Sequence, residues 1–106
     1  MQSFALAYRL PAALQVRDAA KGDVISTRSA CGDADDLYID GDCFLLICGA
    51  GHVDVSSTKD AGGEPVRVST AAGARTGLFV PDLKTLFVAA PARGGVPATL
   101  RELKTS

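Results

Sequence analysis

The segment LYIDGDCFLLIC, residues 37–48, decides the fold of this chain, because two β-rich apolar runs flank a short Asp-Gly-Asp turn. The segment LFVPDLKTLFVAA, residues 78–90, repeats that pattern. A shift of 41 residues aligns the two without a gap and places LLI at 45–47 on LFV at 86–88. A second shift of 41 residues places the FAL run at 4–6 on the LLI run at 45–47. The chain is therefore read as a repeat of about 40 residues.

Strands fit the remaining sequence better than helices. No segment carries an apolar stripe at helical spacing beyond about two turns, and eleven glycines and five prolines interrupt the chain. The chain is predicted to be all-β, with about four strands in each repeat. Reading β-rich runs between turn residues predicts ten short strands, at 3–8, 13–17, 23–29, 36–39, 44–48, 52–56, 65–70, 77–80, 85–89 and 98–103.

Apolar residues run without alternation at 45–48 and 86–89, as expected for strands covered on both faces. One twisted four-stranded sheet cannot cover both of its apolar faces, whereas radial stacking of sheets covers both. The sequence therefore predicts antiparallel four-stranded blade repeats and a partial β-propeller of about two and a half blades: residues 1–21 a partial blade, 22–62 a blade and 63–106 a blade. Two hairpins of a β-sandwich are the alternative, because sandwiches also have short strands at regular spacing.

Several strand connections contain glycines that favour hairpins. They are DGD at 40–42, AG at 50–51, AGG at 61–63 and RGG at 93–95. Glycine takes positive φ angles at little cost, which tight hairpin turns require. These positions are predicted to be turns between antiparallel strands.

Composition and charge narrow the classes of partner. Apolar residues make up 47% and charged residues 22%, as in ordinary globular domains. Eleven basic and twelve acidic side chains leave no basic stripe for a phosphate backbone, so nucleic acid is not expected as a partner. No apolar run has the length that crosses a bilayer, so a membrane is not expected either.

Three cysteines, Cys31, Cys43 and Cys48, form no CxxC pair and lie near only one histidine. This spacing does not match a zinc-binding motif. We expect buried free thiols, as is usual for cysteine in a core. An odd number of cysteines weakly favours a reducing compartment.

Four segments resemble the late blades of bacterial YVTN/YncE-like β-propellers. They are residues 22–37 with their GDADDL core, GAGHVDV at 49–55, AGARTGLFVP at 72–81 and AAPARGG at 89–95. The resemblance covers nearly the whole chain. GART to FVP, followed by APARGG, is specific to that group rather than to propellers at large.

The resemblance implies a complete multi-bladed propeller, often periplasmic or secreted, and mostly without an assigned reaction. This chain begins with Met1 inside what would be a blade, and no export signal is recognised, so its compartment is not determined. A propeller needs about four blades to close, and two and a half blades leave sheet faces and edges uncovered. We therefore expect self-association into a homo-oligomer.

Propellers bind ligands in the loops that enter the first strand of each blade, at the mouth of the central channel. Asp35 and Asp36 of one repeat, with Arg75 and Thr76 of the next, are the predicted ligand-binding residues. A guanidinium supplies a planar pair of donors and the carboxylates accept hydroxyls, so a small polar ligand fits. A structural ion pair between neighbouring repeats is the alternative interpretation.

Other chemistry has less support in the sequence. The acidic run at 33–36 suggests a hard cation such as calcium, but its spacing differs from that of an EF-hand, and no metal site is predicted. His52 has no partner at fixed spacing, and a triad with Ser56, Ser57 or Cys48 would need long-range convergence. The glycine-rich stretches match neither a phosphate-binding loop nor GxGxxG. Arg9 and Arg93 are read as solvated turn residues.

These patterns predict a non-catalytic propeller segment, a scaffold for a ligand or a protein, with no cofactor and no catalytic residue. An enzyme is the less favoured class. Its form would be a lactonase-like hydrolase that holds a metal in the acidic loop cluster, which rests on analogy of fold. A third possibility is an assembly module without biochemical activity.

Overall fold

The computed structural model describes residues 2–9, 11–60 and 63–105. These residues form ten β-strands and a 3-10 helix, Pro81–Leu83, with no α-helix among them. The strands are β1 Ser3–Arg9, β2 Ala12–Asp18, β3 Val24–Ser29, β4 Ala34–Asp40, β5 Cys43–Cys48, β6 His52–Ser57, β7 Val66–Ser69, β8 Thr76–Val80, β9 Thr85–Ala90 and β10 Thr99–Lys104.

The strands form three antiparallel sheets, in each of which neighbours in sequence are neighbours in space. Sheet 1 contains β1 to β3, sheet 2 contains β4 to β7, and sheet 3 contains β8 to β10. The prediction of an all-β chain of antiparallel strands is confirmed, and each predicted strand overlaps one observed strand. In the described part of the chain the sheets remain open and do not close on one another.

The sheets group the strands differently from the predicted units 22–62 and 63–106. β3 pairs with β2, and β7 pairs with β6, so each sheet begins one strand later than its predicted unit. The physical reason is that antiparallel strands joined by a short connection pair with each other in preference to strands further along the chain. Residues 30–33 and 70–75 then lead the chain from one sheet to the next.

Sheet 3 packs against one face of sheet 2. Leu45 and Ile47 of β5 meet Leu86 and Val88 of β9 in the main core, and all four side chains are buried. Alternate residues of a strand point to opposite faces, so Phe87 lies on the other face of sheet 3 and is only half-buried. The prediction that residues 86–89 are covered on both faces is therefore wrong for this sheet.

Sheet 1 covers the other face of sheet 2. Leu46 of β5 and Leu14 of β2 line the same cavity between the two sheets. The guanidinium of Arg28 in β3 lies 5.2 Å from the ring centroid of Phe44 in β5, a cation–π contact. The apolar run at 45–48 is thus covered on both faces, as the sequence predicted.

This packing corrects the register of the repeat. A shift of 41 residues makes Leu45 equivalent to Leu86, yet both lie in the same core and face each other. In a stack of like sheets equivalent residues point the same way, and a slip of one residue moves a side chain to the opposite face. When residues are matched by the sheet face on which they lie, Leu45 corresponds to Phe87, and Tyr38 corresponds to Leu78.

The cause of the slip lies in the hairpin loops. β4 and β5 are joined by the two residues 41–42, where Gly41 has φ +55°, whereas β8 and β9 are joined by the four residues 81–84. The longer loop contains the 3-10 helix and Lys84 at φ +48°. Its two extra residues displace β8 and β9 in opposite directions relative to the ungapped alignment.

The predicted RGG turn is confirmed. Arg93 and Val96 exchange backbone hydrogen bonds of 2.9 and 3.0 Å around Gly94 and Gly95, which have φ +57° and +82°. These angles are the ones that a two-residue hairpin turn demands. Residues 61–62 of the predicted AGG turn lie outside the described residues. No described helix is long and apolar enough to cross a membrane.

Candidate functional site

Charged side chains from sheets 1 and 2 and from the segments that lead into sheets 2 and 3 meet at one place. Asp33 precedes β4, Asp35 lies within β4, and Arg75 precedes β8. Nη1 of Arg75 donates to both carboxylate oxygens of Asp33 at 2.8 Å and to Oδ2 of Asp35 at 3.0 Å. Arg9, the last residue of β1, places Nη2 2.6 Å from Oδ1 of Asp33. We call these four residues the charge cluster.

The charge cluster is electrically balanced and partly shielded from solvent. The side chains of Asp33 and Asp35 are 25% and 17% exposed, whereas that of Arg75 is 48% exposed. The hydrogen bond from Arg75 lowers the pKa of Asp33, and the same bond raises the pKa of Arg75. Both groups are therefore charged at neutral pH, and two arginines compensate two aspartates.

The structure brings together two of the predicted site residues, Asp35 and Arg75, in the manner of the ion pair between repeats. It adds two residues that the sequence reasoning left out of the site. Asp33 belongs to the same acidic run, and its position in the loop that enters β4 is the sequence signal that could have identified it. Arg9 is exposed, yet it pairs with Asp33, so its interpretation as a purely solvated turn residue is wrong.

The other two predicted residues take different places. A bulge between Ala34 and Asp36 shifts the register of β4, which separates Asp35 from its neighbour. Asp36 accepts hydrogen bonds from the hydroxyl of Tyr38 at 2.9 Å and from the backbone of Leu37 at 3.1 Å. Asp33 and Asp35 thus pair with arginine, whereas Asp36 pairs with Tyr38, and the three carboxylates do not share one partner.

Thr76 remains beside Arg75. The two residues line a shallow cleft of about 440 Å³, together with Thr99 and Leu100 of β10. The cleft offers two threonine hydroxyls, one guanidinium and an apolar wall. A small polar molecule that displaces an aspartate from Arg75 has room to lie here.

Gly49 makes the charge cluster possible. A Cβ atom at this position would overlap Nη1 of Arg75 and lie 2.6 Å from Oδ2 of Asp35. Its backbone N–H also donates to the carbonyl of Asp33 at 2.8 Å. The glycine after β5 therefore lets the guanidinium approach the strand end closely.

A second group of polar residues lies on the face of sheet 2 that sheet 1 covers. Cys31 and Cys48 form a disulfide with a Cα–Cα distance of 6.2 Å, so the expectation that these cysteines are free thiols is wrong. The reason is pairing at long range, since Ala34 pairs with Cys48 and brings the preceding loop against the end of β5. Cys43 is free and half-buried.

His52 and Asp54 lie beside the disulfide. His52 pairs with Cys48 across the β5–β6 hairpin, and Asp54 is two residues further along the same face. The His52 Nε2 to Asp54 Oδ1 distance is 3.6 Å, too long for a hydrogen bond. Arg67 of β7 donates to the two oxygens of Asp54 at 2.9 and 3.3 Å. A histidine two residues before an aspartate on a strand was the sequence signal for this contact.

This geometry excludes the nucleophilic triads considered from the sequence. Cys48 is oxidised and offers no thiolate. Ser56 is four residues from His52 on the same strand, about 13 Å away at the rise of an extended chain. Ser57 points to the opposite face, and its hydroxyl accepts hydrogen bonds from the backbone N–H groups of Lys59 and Asp60.

Comparison with known proteins does not identify a family for this chain. No protein-family model, curated protein or solved structure matches the chain.

Proposed function

We propose that this chain is a segment of a YVTN/YncE-like β-propeller that acts as a non-catalytic scaffold for a ligand or a protein partner, and that it completes its fold by self-association. One observation carries the proposal: the uncovered faces of sheets 1 and 3 repeat the two covered faces of sheet 2. A second copy of the chain presents the surface that each uncovered face lacks.

The uncovered face of sheet 3 carries large apolar side chains beside the polar Glu102 and Lys104. Leu78 lies opposite Phe87, and Leu100 lies one pair further along the same face. Leu78 and Leu100 are 59% and 63% exposed. By face, Leu78 and Phe87 correspond to Tyr38 and Leu45, the residues through which sheet 2 packs on sheet 3. This face therefore repeats a surface that another sheet covers elsewhere in the chain.

The uncovered face of sheet 1 follows the same rule. Phe4 and Leu6 of β1 lie on the face opposite Leu14 and are 40% and 37% exposed. By face, they correspond to Phe44 and Leu46, which sheet 1 itself covers. Sheet 1 of a second copy can thus occupy against sheet 3 the position that sheet 3 occupies against sheet 2.

An assembly of this kind is head-to-tail, so it either closes into a ring or continues as a filament. Each chain supplies three sheets, and two copies supply six, within the range of about four to eight blades that propellers use. Three stacked layers also favour a propeller over a two-layer sandwich, since sheet 2 has both faces covered.

The charge cluster is the proposed ligand site. β4 and β8 lie side by side, and the hydroxyl of Tyr38, whose single proton is shared between two acceptors, lies 2.6 Å from the carbonyl oxygen of Gly77 and 2.9 Å from Asp36. These are the first strands of their sheets, the ones that line the channel in a propeller. A ligand carboxylate or hydroxyl would replace Asp35 or Asp33 at Arg75, and Thr76 would donate a further hydrogen bond.

The test is solution mass by light scattering over a dilution series, with two matched variants. Leu100→Glu places a charge on the uncovered face of sheet 3, and Leu83→Glu places one on the 59% exposed side chain of the 3-10 helix. We expect the unchanged chain and Leu83→Glu to form a discrete oligomer, and Leu100→Glu to be monomeric. A monomer at every concentration, or an oligomer that Leu100→Glu leaves intact, would contradict the proposal.

A further inference from the structure

The disulfide and its two polar neighbours form a group of four potential metal ligands. Sγ of Cys31, Sγ of Cys48, an imidazole nitrogen of His52 and a carboxylate oxygen of Asp54 all lie within 4.8 Å of one another. The two cysteines and Asp54 are buried, and His52 is half-buried. We call these residues the Cys-His-Asp group.

Local structure holds this group together. His52 is directly opposite Cys48 in the β5–β6 hairpin, and Asp54 follows on the same face. Cys31 precedes β4, whose Ala34 also pairs with Cys48. Three of the four ligands thus belong to one hairpin, and the fourth comes from the segment that packs on it.

The distances suit a tetrahedral ion. Zinc binds cysteine sulfur at about 2.3 Å and histidine nitrogen or carboxylate oxygen at about 2.0–2.2 Å, so its ligand atoms lie roughly 3 to 4 Å apart. The observed limit of 4.8 Å is slightly longer than this spacing, so the side chains would rotate to close on an ion. Breaking the bond between the two sulfur atoms would let them separate around an ion.

One atom of the group lacks a partner. Nε2 of His52 is inaccessible to solvent and has no hydrogen-bond partner in the described part of the chain. A buried nitrogen without a partner is destabilising, because it has lost its hydrogen bonds to water. A bond from Nε2 to a metal ion would remove this cost, and imidazole is a usual zinc ligand.

Charges also balance around such an ion. Two thiolates and one carboxylate carry three negative charges, and a divalent cation leaves one. Arg67, hydrogen-bonded to both oxygens of Asp54, compensates the remaining charge from outside the group. Outer partners of this kind orient a ligating carboxylate without binding the metal.

We infer that Cys31, Cys48, His52 and Asp54 form a redox-controlled binding site for a zinc-class divalent ion. The structure contains the oxidised form, in which the disulfide occupies the two sulfur ligands. A dithiol reductant breaks the Sγ–Sγ bond with two electrons and two protons, giving two thiols while the reductant becomes a disulfide. The ion then binds both sulfurs and displaces their two protons to solvent. Either form cross-links the segment before β4 to the β5–β6 hairpin.

The test uses the full chain and Co²⁺ as a spectroscopic probe. The chain is reduced with a dithiol, desalted without oxygen and titrated with Co²⁺. We expect one equivalent to bind, with a sulfur-to-cobalt charge-transfer band and the ligand-field bands of a tetrahedral site. Zn²⁺ should displace Co²⁺ and raise the melting temperature of the reduced chain. The oxidised chain should show neither the bands nor the stabilisation.

Two variants make the test specific. Cys43→Ser removes the third cysteine, which lies outside the group, and should leave the spectrum and stoichiometry unchanged. His52→Ala should weaken Co²⁺ binding by more than the roughly 10- to 100-fold that loss of an outer-sphere partner costs. No stoichiometric spectrum in the reduced chain would overturn the inference. So would loss of binding in Cys43→Ser, or unchanged affinity in His52→Ala.

Discussion

The face assignment of sheet 3 predicts different costs for two like substitutions, Leu86→Ala and Leu78→Ala. Leu86 is 1% exposed in the core between sheets 2 and 3, whereas Leu78 is 59% exposed on the opposite face. Each change removes three carbons, worth about 2.4 kcal/mol at roughly 0.8 kcal/mol per buried group. Leu86→Ala also leaves a cavity, so its expected loss is about 3 kcal/mol or more. Leu78→Ala should lose about 1 kcal/mol, since less than half of that side chain is buried.

Urea denaturation followed by circular dichroism measures both losses from the shift in midpoint at constant slope. The measurement belongs at the lowest concentration that gives a signal, where self-association contributes least. Equal losses for the two variants would refute the face assignment, and with it the corrected register of the repeat. At high concentration the loss for Leu78→Ala should grow if a second copy covers that face, because the free energy of unfolding then includes association.

Three further predictions concern a glycine in β8 and two polar side chains. Gly77→Ala should destabilise the chain by about 1–3 kcal/mol, because the added Cβ would lie 2.7 Å from a backbone carbonyl oxygen. Gly32→Ala is the control and should cost far less, because no atom lies within 4 Å of its Cβ position. Similar melting temperatures for the two variants would contradict this. Burial raises the pKa of Tyr38, and its hydrogen bond to Asp36 raises it further. The contribution of Tyr38 to stability is therefore present below the unfolded pKa of about 10 and disappears as pH rises through the folded pKa. Phenolate absorbance, with Tyr38→Phe as reference, should show ionisation above that value, and ionisation at or below it would refute the burial argument. The pKa of Asp33 is lowered by Arg75, so its contribution to stability is present above the unfolded value of about 3.9 and disappears as pH falls through the folded pKa. The carboxyl chemical shift of Asp33 should titrate below that value, and Arg75→Gln should raise its midpoint toward that value, with Arg9 still lowering it.

The strands were predictable because they depend on local chemistry. β-rich runs between turn residues marked all ten, and the RGG turn at 93–95 has the positive φ angles that its two glycines indicated. The continuous run at 45–48 also identified a strand that is covered on both faces.

The register between repeats was not predictable by ungapped alignment. The run at 86–89 looks like the one at 45–48, but sheet 3 is covered on one face only, and the longer hairpin loop decides which residues of β9 lie on the open face. The period of a strand is two residues, so an error of one residue reverses the face of every side chain. A bulge in β4 likewise separated Asp36 from Asp35 in the candidate site.

The sequence by itself determined the all-β class, the position of each strand and the antiparallel pairing of neighbours, since these follow from residues a few positions apart. Only the tertiary structure decided which face is buried, which aspartates pair with Arg75, and that Cys31 joins Cys48. These features depend on contacts between segments far apart in the chain. Their geometry depends on loop lengths and on how the sheets stack, and a local sequence pattern does not specify this stacking.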